Sequence, residues 1–213
     1  MSGPNITIVD YGLGNLMSVS QAVTHVGANP IVTSDPEVVA AAERVILPGV
    51  GAFAVAMGFL EGLALDQALT DANSRGTPLL GICLGMQLLF SDSLEFGQTA
   101  GLGFIDGTVR PVVGGGSERL AVRSTHIGWR NLDLAEVGVD HPLLAGIESD
   151  DSVYFVHSYS GHSTNPSDTL ATVDYAGLAV AAVVGADNVL GVQFHPEKSG
   201  PAGLRILGNF CGR

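Results

Sequence analysis

The residue best suited to covalent chemistry is Cys83, which stands in the pentapeptide Gly81-Ile82-Cys83-Leu84-Gly85. An apolar run precedes this segment and a helical pattern follows it, as in the strand-turn-helix on which many hydrolases carry their nucleophile. Such a turn is strained and close to neighbouring backbone, so it needs small residues two positions to either side. The N-terminus of the following helix favours the thiolate, and the Leu84 N–H is placed to donate to an oxyanion. The segment alone also permits a second interpretation, in which Cys83 is a buried structural thiol.

A thiolate nucleophile needs a base, and the base needs a group that orients it. His195 ends the apolar run 189–194, and the chain continues with proline and Glu197. Because proline ends a strand, His195 and Glu197 are expected to leave the sheet edge on a rigid turn. A carboxylate two residues from an imidazole can bond its far nitrogen and fix its tautomer. His195 is therefore the leading candidate for the base, with Glu197 as its orienting group.

The remaining histidines and cysteines offer weaker candidates. His195 with Glu197 could be half of a metal site, but no Cys or His cluster with ligand spacing accompanies them, so neither a metal nor a cofactor is expected. His25 and His141 are expected at the surface or as capping residues, and Cys211 is expected in the core of the last helix. Two cysteines cannot form a disulfide framework, and no basic targeting segment opens the chain. We therefore expect a cytoplasmic protein.

The elements that must position Cys83 and His195 form two groups along the chain. In the first half, short apolar strands at 6–9, 30–32, 45–47 and 78–82 alternate with helical patterns at 15–27, 65–74 and 86–90. In the second half, strand-like segments lie at 108–113, 120–125, 153–159, 170–174, 178–184 and 189–194, followed by a helix at 202–210. The turn 185–188 indicates an antiparallel hairpin. We predict a single α/β domain over residues 1–213, with a mostly parallel central sheet flanked by helices and antiparallel strands added in the C-terminal half.

The composition narrows the classes of function. The chain has 213 residues, of which 46% are hydrophobic and 14% charged, and this excludes a disordered protein. A net charge of −12 makes nucleic acid and anionic membrane surfaces unsuitable partners. The longest uncharged runs, 45–60 and 76–91, are too short for a membrane span and are interrupted by proline and glycine. No nucleic acid and no membrane partner is therefore expected.

Two motifs together resemble the class I glutamine amidotransferases, namely GICLGMQ at 81–87 and QFHPE at 193–197. Four further segments resemble, within that family, the glutaminase subunits of imidazole glycerol phosphate synthases. They are DYGLGN at 10–15, PGVGAF at 48–53, YFVHSY at 154–159 and FHPEKS at 194–199. The resemblance covers nearly the whole chain and implies the class I glutamine amidotransferase fold.

The resemblance implies a role for each matching residue. Cys83 would attack the side-chain carboxamide of glutamine, form a γ-glutamyl thioester and release ammonia. His195 would transfer the protons, Glu197 would orient His195, and the N–H groups of Val50 and Leu84 would hold the oxyanion. The positions implied for substrate binding are Gly49, Gln87, Glu95, His157, Ser158 and Tyr159. Glu95 suits the α-ammonium group of glutamine, although by itself it could be a solvated loop charge.

The resemblance also implies a heterodimer with a cyclase subunit of the (β/α)8-barrel type. Ammonia would pass to that cyclase, where it would react with a nucleotide, giving imidazole glycerol phosphate and aminoimidazole carboxamide ribotide in histidine biosynthesis. The implied partner contacts are Asn15, Trp129 and Lys198, although Trp129 could equally be a core residue. The segment 125–130 reads THIGWR where PHMGWN is expected, which leaves the local backbone and its partner contacts open.

Two other functions remain open at this point. The chain could be the glutaminase subunit of a different synthase, such as one for anthranilate, carbamoyl phosphate, guanylate or pyridoxal phosphate. Several of those carry a double glycine after the proline, whereas this chain has PGVG at 48–51. It could also be an inactive α/β partner or a nucleotide-binding module, but residues 12–14 lack the third glycine of a dinucleotide fingerprint.

Overall fold

A computed structural model describes residues 3–112 and 125–212 of the chain. Over these residues the strands are β1 (Asn5–Val9), β2 (Asn29–Thr33), β3 (Val45–Gly49), β4 (Leu79–Cys83), β5 (Phe90–Ser93), β6 (Thr99–Ala100), β7 (Ile105–Pro111), β8 (His126–Asn131), β9 (Asp133–Leu134), β10 (Ser152–His157), β11 (Tyr159–Ser163), β12 (Thr169–Tyr175), β13 (Leu178–Ala186) and β14 (Val189–Val192). The helices are α1 (Leu16–His25), α2 (Pro36–Ala40), α3 (Phe53–Gly62), α4 (Leu65–Ser74), α5 (Leu84–Leu88), α6 (Glu136–Val139) and α7 (Gly200–Cys211). Short 3₁₀ turns lie at Pro142–Leu144, Pro166–Asp168 and Pro196–Lys198.

The central sheet has eight strands in the order β2-β1-β3-β4-β14-β13-β12-β9. Every pair from β2 to β14 is parallel, and every pair from β14 to β9 is antiparallel. The predicted hairpin at 185–188 joins β13 to β14. The prediction of a parallel core with antiparallel strands added in the C-terminal half is therefore confirmed.

Continuous apolar sequence explains why the central strands are covered on both faces. All five residues of β3 and all five of β4 are buried, as expected for parallel strands between two helical layers. Helices α1 and α7 contribute to the apolar core on one face, and α3 and α4 to the core on the other. Cys211 of α7 is buried, as predicted.

Two smaller sheets stand beside the central one. Strands β11, β7, β5 and β6 form a four-stranded sheet in that order, and β10 pairs with β8 as an antiparallel ribbon. In the ribbon His157 pairs with His126, Val156 with Ile127, and Tyr154 with Trp129.

Two sequence predictions about these elements need correction, and one helix was not predicted. The helix predicted at 86–90 ends at Leu88, and Phe90 instead begins β5, where its buried ring packs against Gly161. The single strand predicted at 153–159 is two strands, because residues up to His157 pair with β8 whereas those from Tyr159 pair with β7. Helix α3 was not predicted. The predicted strand 120–125 lies outside the described residues, except for Thr125.

Helices α3 and α4 follow one another at an angle of 86°. No single helix in the described ranges is long and apolar enough to cross a membrane. Taken together, the bent pair α3 and α4 would be long and apolar enough, by length and composition only.

The parallel strands bring the sequence motifs to one place. Parallel neighbours end at the same edge of a sheet, so the segments after β1, β3, β4 and β14 meet there. These segments are the DYGLGN stretch, the PGVG stretch, the Cys83 turn and the QFHPE stretch.

Candidate functional site

The turn that carries Cys83 has the geometry that its glycines predict. Cys83 ends β4 and precedes α5, with φ +56° and ψ −110°, a conformation that non-glycine residues rarely adopt. A Cβ atom on Gly81 would lie 2.6 Å from the carbonyl oxygen of Gly85. A Cβ atom on Gly85 would overlap the carbonyl oxygen of Leu47 on the neighbouring strand. The small residues on either side therefore let the turn fit against β3 while it holds the thiol at the strand end.

His195 and Glu197 leave the end of β14 on the 3₁₀ turn, as predicted. The Nδ1 atom of His195 lies 2.9 Å from the Oε1 atom of Glu197, and both side chains are almost completely buried. Because a carboxylate only accepts, Nδ1 carries the proton of this hydrogen bond. The Nε2 atom is then the one available to Cys83, which lines the same cavity.

Ser199 and Tyr154 fix the backbone of this turn. The Ser199 hydroxyl donates to the carbonyl oxygen of His195 at 2.6 Å and accepts from the Tyr154 N–H at 2.9 Å. The His195 N–H donates in turn to the carbonyl oxygen of Tyr154 at 3.0 Å. The imidazole therefore stands on a backbone that is anchored to β10.

The charges around Cys83 favour a protonated His195. Burial alone would lower the pKa of His195, but its hydrogen bonds with Cys83 and Glu197, together with their negative charges, raise that pKa to about 9. At neutral pH His195 is then an imidazolium beside Cys83. Burial raises the pKa of the Tyr11 phenol, and the charge of Cys83 raises it further, so Tyr11 stays neutral.

A cavity of about 370 Å³ opens in front of Cys83 and His195. Its lining consists of Val50, Gly51, Cys83, Leu84, Gln87, Glu95, Thr125, Val156, His157, Ser158, Tyr159 and His195. All but one of the residues predicted to hold the oxyanion or to bind the substrate are among these lining residues. The exception is Gly49, which is buried behind the cavity, where a Cβ atom would lie 2.8 Å from the Gly85 nitrogen.

Glu95 is bound to a helix as well as facing the cavity. Its Oε2 atom accepts a hydrogen bond of 2.6 Å from the backbone N–H of Phe53, the first residue of α3. A carboxylate at a helix N-terminus is stabilised by the unpaired N–H groups and by the helix dipole. Glu95 therefore holds a fixed negative charge at the cavity wall, and it is not a solvated loop charge.

The residues predicted at a partner interface lie outside the cavity. Trp129 is 50% exposed on β8, so the alternative that it is a core residue is wrong. With Ile127 and the exposed Val156 of β10 it forms an apolar surface, called here the ribbon face. Lys198 is exposed on the 3₁₀ turn, and Asn15 stands half-buried at the start of α1.

The sequence reasoning missed two polar residues of the site. Gln193 is fully buried, and its Nε2 atom lies 3.8 Å from the sulfur of Cys83. Its only signal was an amide side chain at the end of the otherwise apolar run 189–194. Thr125, where the resemblance leads one to expect proline, lines the cavity, and its hydroxyl lies 2.9 Å from that of Ser158.

The comparisons with known proteins agree with this geometry. The family model described as "Glutamine amidotransferase class-I" matches residues 7–212. The imidazole glycerol phosphate synthase subunit HisH of Symbiobacterium thermophilum is 46% identical over 205 residues, which cover 96% of this chain and 92% of that protein. The HisH subunit of Rhodospirillum rubrum is 44% identical over 213 residues, and HisH 1 of Legionella pneumophila strain Lens is 43% identical over 208. These alignments cover 96–97% of this chain and 97–98% of the two relatives.

Solved structures share the fold at low sequence identity. A putative GMP synthase subunit from Thermoplasma acidophilum superposes with a TM-score of 0.70 at 18% identity, covering 100% of this chain and 94% of its own. A chain of the PurLQS structure of Thermotoga maritima gives a TM-score of 0.70 at 19% identity, with coverages of 99% and 98%.

Proposed function

The chain belongs to the class-I glutamine amidotransferases, and among them to the imidazole glycerol phosphate synthase HisH subunits, and on this premise we propose that it is the glutaminase of such a synthase. It hydrolyses glutamine to glutamate and ammonia and delivers the ammonia to a partner subunit. The observation that carries this proposal is the convergence of Cys83 and His195 at one cavity, with the buried carboxylate of Glu197 2.9 Å behind His195.

The first half of the reaction uses the charge distribution at the site. The Cys83 thiolate attacks the δ-carbon of glutamine, and the carbonyl oxygen becomes an oxyanion, for which the N–H groups of Val50 and Leu84 are the proposed donors. His195 gives its Nε2 proton to the leaving nitrogen, so that ammonia departs and the γ-glutamyl thioester remains. Glu197 stays ionised and keeps the Nδ1 proton in place throughout.

The second half restores the site. Neutral His195 takes a proton from water, and the resulting hydroxide attacks the thioester carbon. Collapse of this intermediate expels the Cys83 thiolate and leaves glutamate, whose carboxyl proton goes to solvent. The fixed charge of Glu95 suits the α-ammonium group of glutamine, while Gln87 and the segment 157–159 form the rest of the wall.

The partner that we propose is a cyclase of the (β/α)8-barrel type, with which this chain forms a heterodimer. The ribbon face supports a docking site beside the cavity, because Val156 belongs both to that face and to the cavity lining. Ile127 and Trp129 extend the apolar surface outward from it, and aromatic residues are enriched in the buried centre of interfaces. Ammonia handed over inside such a complex stays unprotonated and nucleophilic. Cys83 and Cys211 are both free thiols, as is typical of proteins in a reducing compartment, and we propose the cytoplasm.

Glutamate release by the purified chain mixed with such a cyclase and its nucleotide tests the activity. We expect release to fall to background in Cys83→Ala and to persist in Cys211→Ala, the matched change at the buried thiol of α7. Release that persists in Cys83→Ala would exclude the proposed nucleophile.

A titration of the cyclase tests the docking surface. Trp129→Ala is expected to weaken binding by at least tenfold, whereas Val139→Ala, at an exposed apolar position on α6, leaves it unchanged. Equal affinities for the two variants would move the interface away from the ribbon face.

A further inference from the structure

A continuous chain of hydrogen bonds between buried groups ends on the sulfur of Cys83, and we infer that Gln193 is a third group acting on that sulfur, in addition to His195 and the oxyanion donors. Its side-chain N–H stabilises the Cys83 thiolate. The inference rests on the proposed function only in taking Cys83 as the nucleophile.

The direction of each hydrogen bond that leads to Cys83 follows from one carbonyl group. The backbone oxygen of Tyr159 can only accept, and the amide of Gln87 approaches it at 2.9 Å, so the approaching atom is Nε2. The same Nε2 lies 3.1 Å from the amide of Gln193, which must present its Oε1 atom in order to accept. The other half of the Gln193 amide is then Nε2, and that atom faces Cys83 at 3.8 Å.

The reverse orientation of Gln193 is excluded by the same partners. With the amide turned over, its NH₂ group would face the NH₂ group of Gln87, and its carbonyl oxygen would face the thiolate. Both contacts would be repulsive at a place where water has little access, since Gln193 is fully buried and Gln87 is only 5% exposed. Buried polar groups without partners are costly, so the observed orientation is fixed.

One histidine bonds the same carbonyl oxygen, and a second histidine bonds the first. The Nδ1 atom of His157 lies 2.8 Å from the Tyr159 oxygen and therefore donates to it. The Nε2 atom of a neutral His157 can then only accept, and it lies 3.0 Å from the Nδ1 atom of His126. His126 is fully buried and stacks against Phe155 with ring centroids 4.7 Å apart.

This arrangement requires His157 to be neutral and His126 to carry a proton on Nδ1. Burial lowers the pKa of His157 and that of His126 to about 4, in agreement with the tautomers just derived. His126 and His157 therefore act as positioning residues for the Tyr159 carbonyl. Although His157 lines the cavity, both of its ring nitrogens bond within the protein, so its ring contributes shape to the substrate site.

The amide of Gln193 affects the charge state of the Cys83 sulfur, which an apolar side chain of the same size would not do. An N–H donor strengthens its bond when the acceptor becomes charged, so Gln193 stabilises the thiolate more than the thiol. The other titratable groups that act on Cys83 are His195 after β14 and Tyr11 after β1, with Glu197 behind His195 and with Glu95 and His157 in the cavity wall. None of these groups is altered when Gln193 is replaced.

Alkylation of Cys83 by iodoacetamide as a function of pH tests the inference without glutamine or a cyclase. The rate is followed on the Cys83 peptide by mass spectrometry, because only the thiolate reacts. In Gln193→Met, which keeps the side-chain volume and leaves Gln87 bonded to Tyr159, we expect the midpoint of the alkylation profile to rise by about one pH unit. The rate on the acid side of that midpoint falls by about tenfold, the effect of one hydrogen bond to a charged acceptor.

Two further variants separate this role from simple packing. Gln98→Met removes an amide of the same size that donates to Asp92 at the surface, and its alkylation profile should match that of the unchanged chain. Should Gln193→Met fail to fold, Gln193→Asn makes the same measurement, because its amide is one methylene shorter and withdraws the N–H from the sulfur. An unchanged profile in the folded Gln193 variant would overturn the inference. A shifted profile in a chain that releases no glutamate would sustain it and contradict only the proposed function.

Discussion

Replacing Glu197 with glutamine should separate the effect of its negative charge from that of its shape. The side chain of Glu197 is fully buried, and its Oε1 atom accepts from the Nδ1 atom of His195 at 2.9 Å. The amide oxygen of glutamine can accept that same hydrogen bond, so the imidazole keeps its position and tautomer. What is lost is the negative charge beside the imidazolium.

The structure gives the size of this effect. The rise in the pKa of His195 from 6.5 to about 9 corresponds to about 3 kcal/mol in favour of the imidazolium, at about 1.4 kcal/mol per pH unit. Cys83 and Glu197 supply this stabilisation against the opposing effect of burial. Without the carboxylate, the pKa of His195 should fall below about 9, although Cys83 still raises it, so that a smaller fraction of His195 is protonated at neutral pH. Loss of this acid and of its partner charge should lower kcat/KM by about 10²–10⁴.

The stability of the folded chain should show the same change with a defined sign. A pKa that is raised in the folded state stabilises the fold fully below pH 6.5, and this stabilisation is lost as the pH rises through about 9. Urea unfolding at pH 6.5 and at pH 9.5 should therefore show a loss of up to about 3 kcal/mol from His195 in the unchanged chain. The loss should be much smaller in Glu197→Gln.

The assay combines glutamate release with unfolding, and Glu61→Gln serves as the control because Glu61 is exposed on α3. The control should match the unchanged chain in both measurements. Glutamate release within threefold of the unchanged rate, together with an unaltered dependence of stability on pH, would refute the assignment of Glu197 as the partner of His195.

Four further predictions concern the same edge of the sheet. Cys83→Ala should abolish glutamine-dependent synthesis by the complex while synthesis from added ammonia survives; loss of both in an assembled complex would contradict this division of labour. Lys198→Ala removes an exposed charge, and it should weaken cyclase binding, or the coupling of glutamate release to synthesis, more than it lowers the melting temperature. If the affinity for the cyclase and the coupling are both unchanged, Lys198 is an incidental surface residue. Tyr11→Phe should leave the free energy of unfolding unchanged or raise it by about 1 kcal/mol, because the buried Tyr11 hydroxyl has no hydrogen-bond partner among the described residues. A loss of about 2 kcal/mol in urea unfolding would show that the hydroxyl is bonded. The chain alone should release glutamate about 10²–10³ times more slowly than the complex with a cyclase that has bound its nucleotide. The reason is that the Gly49–Val50 peptide, followed by Gly51 at φ +105°, can turn its N–H toward or away from the oxyanion. Equal rates of glutamate release would rule out this switch.

Much of the fold follows from local apolar patterns. The runs at 45–47 and 78–82 identified β3 and β4, because strands buried on both faces consist of continuous apolar residues. Helix α4 has the predicted bounds, since its buried residues repeat at helical spacing along an otherwise polar sequence. The positions of Cys83 and His195 also followed from sequence, because each stands where a parallel strand ends.

Other features depend on contacts that no local pattern contains. Helix α3 was missed because Val55 and Phe59 are apolar yet exposed, which hides the periodicity of its buried face. Residues 86–90 read as one helix because they are uniformly helix-compatible, and only the packing of Phe90 against Gly161 makes it a strand residue. Gln193 and His126 could not be assigned from sequence, because their roles depend on atoms of Tyr159 and Gln87 in other elements.

The insertion of β14 between β4 and β13 has a consequence for how the chain matures. Cys83 and His195 are 112 positions apart (195 − 83), so during synthesis the thiol leaves the ribosome about 6 to 22 s before its base, at about 5–20 residues per second. Pairing of β14 with β4 closes a long loop and is expected to be among the slower steps of folding. Until that step Cys83 has neither the imidazolium of His195 nor Gln193 beside it, and it reacts as an ordinary thiol. Catalytic competence is thus acquired in the same event that completes the middle of the sheet, so a nascent or misfolded chain consumes no glutamine.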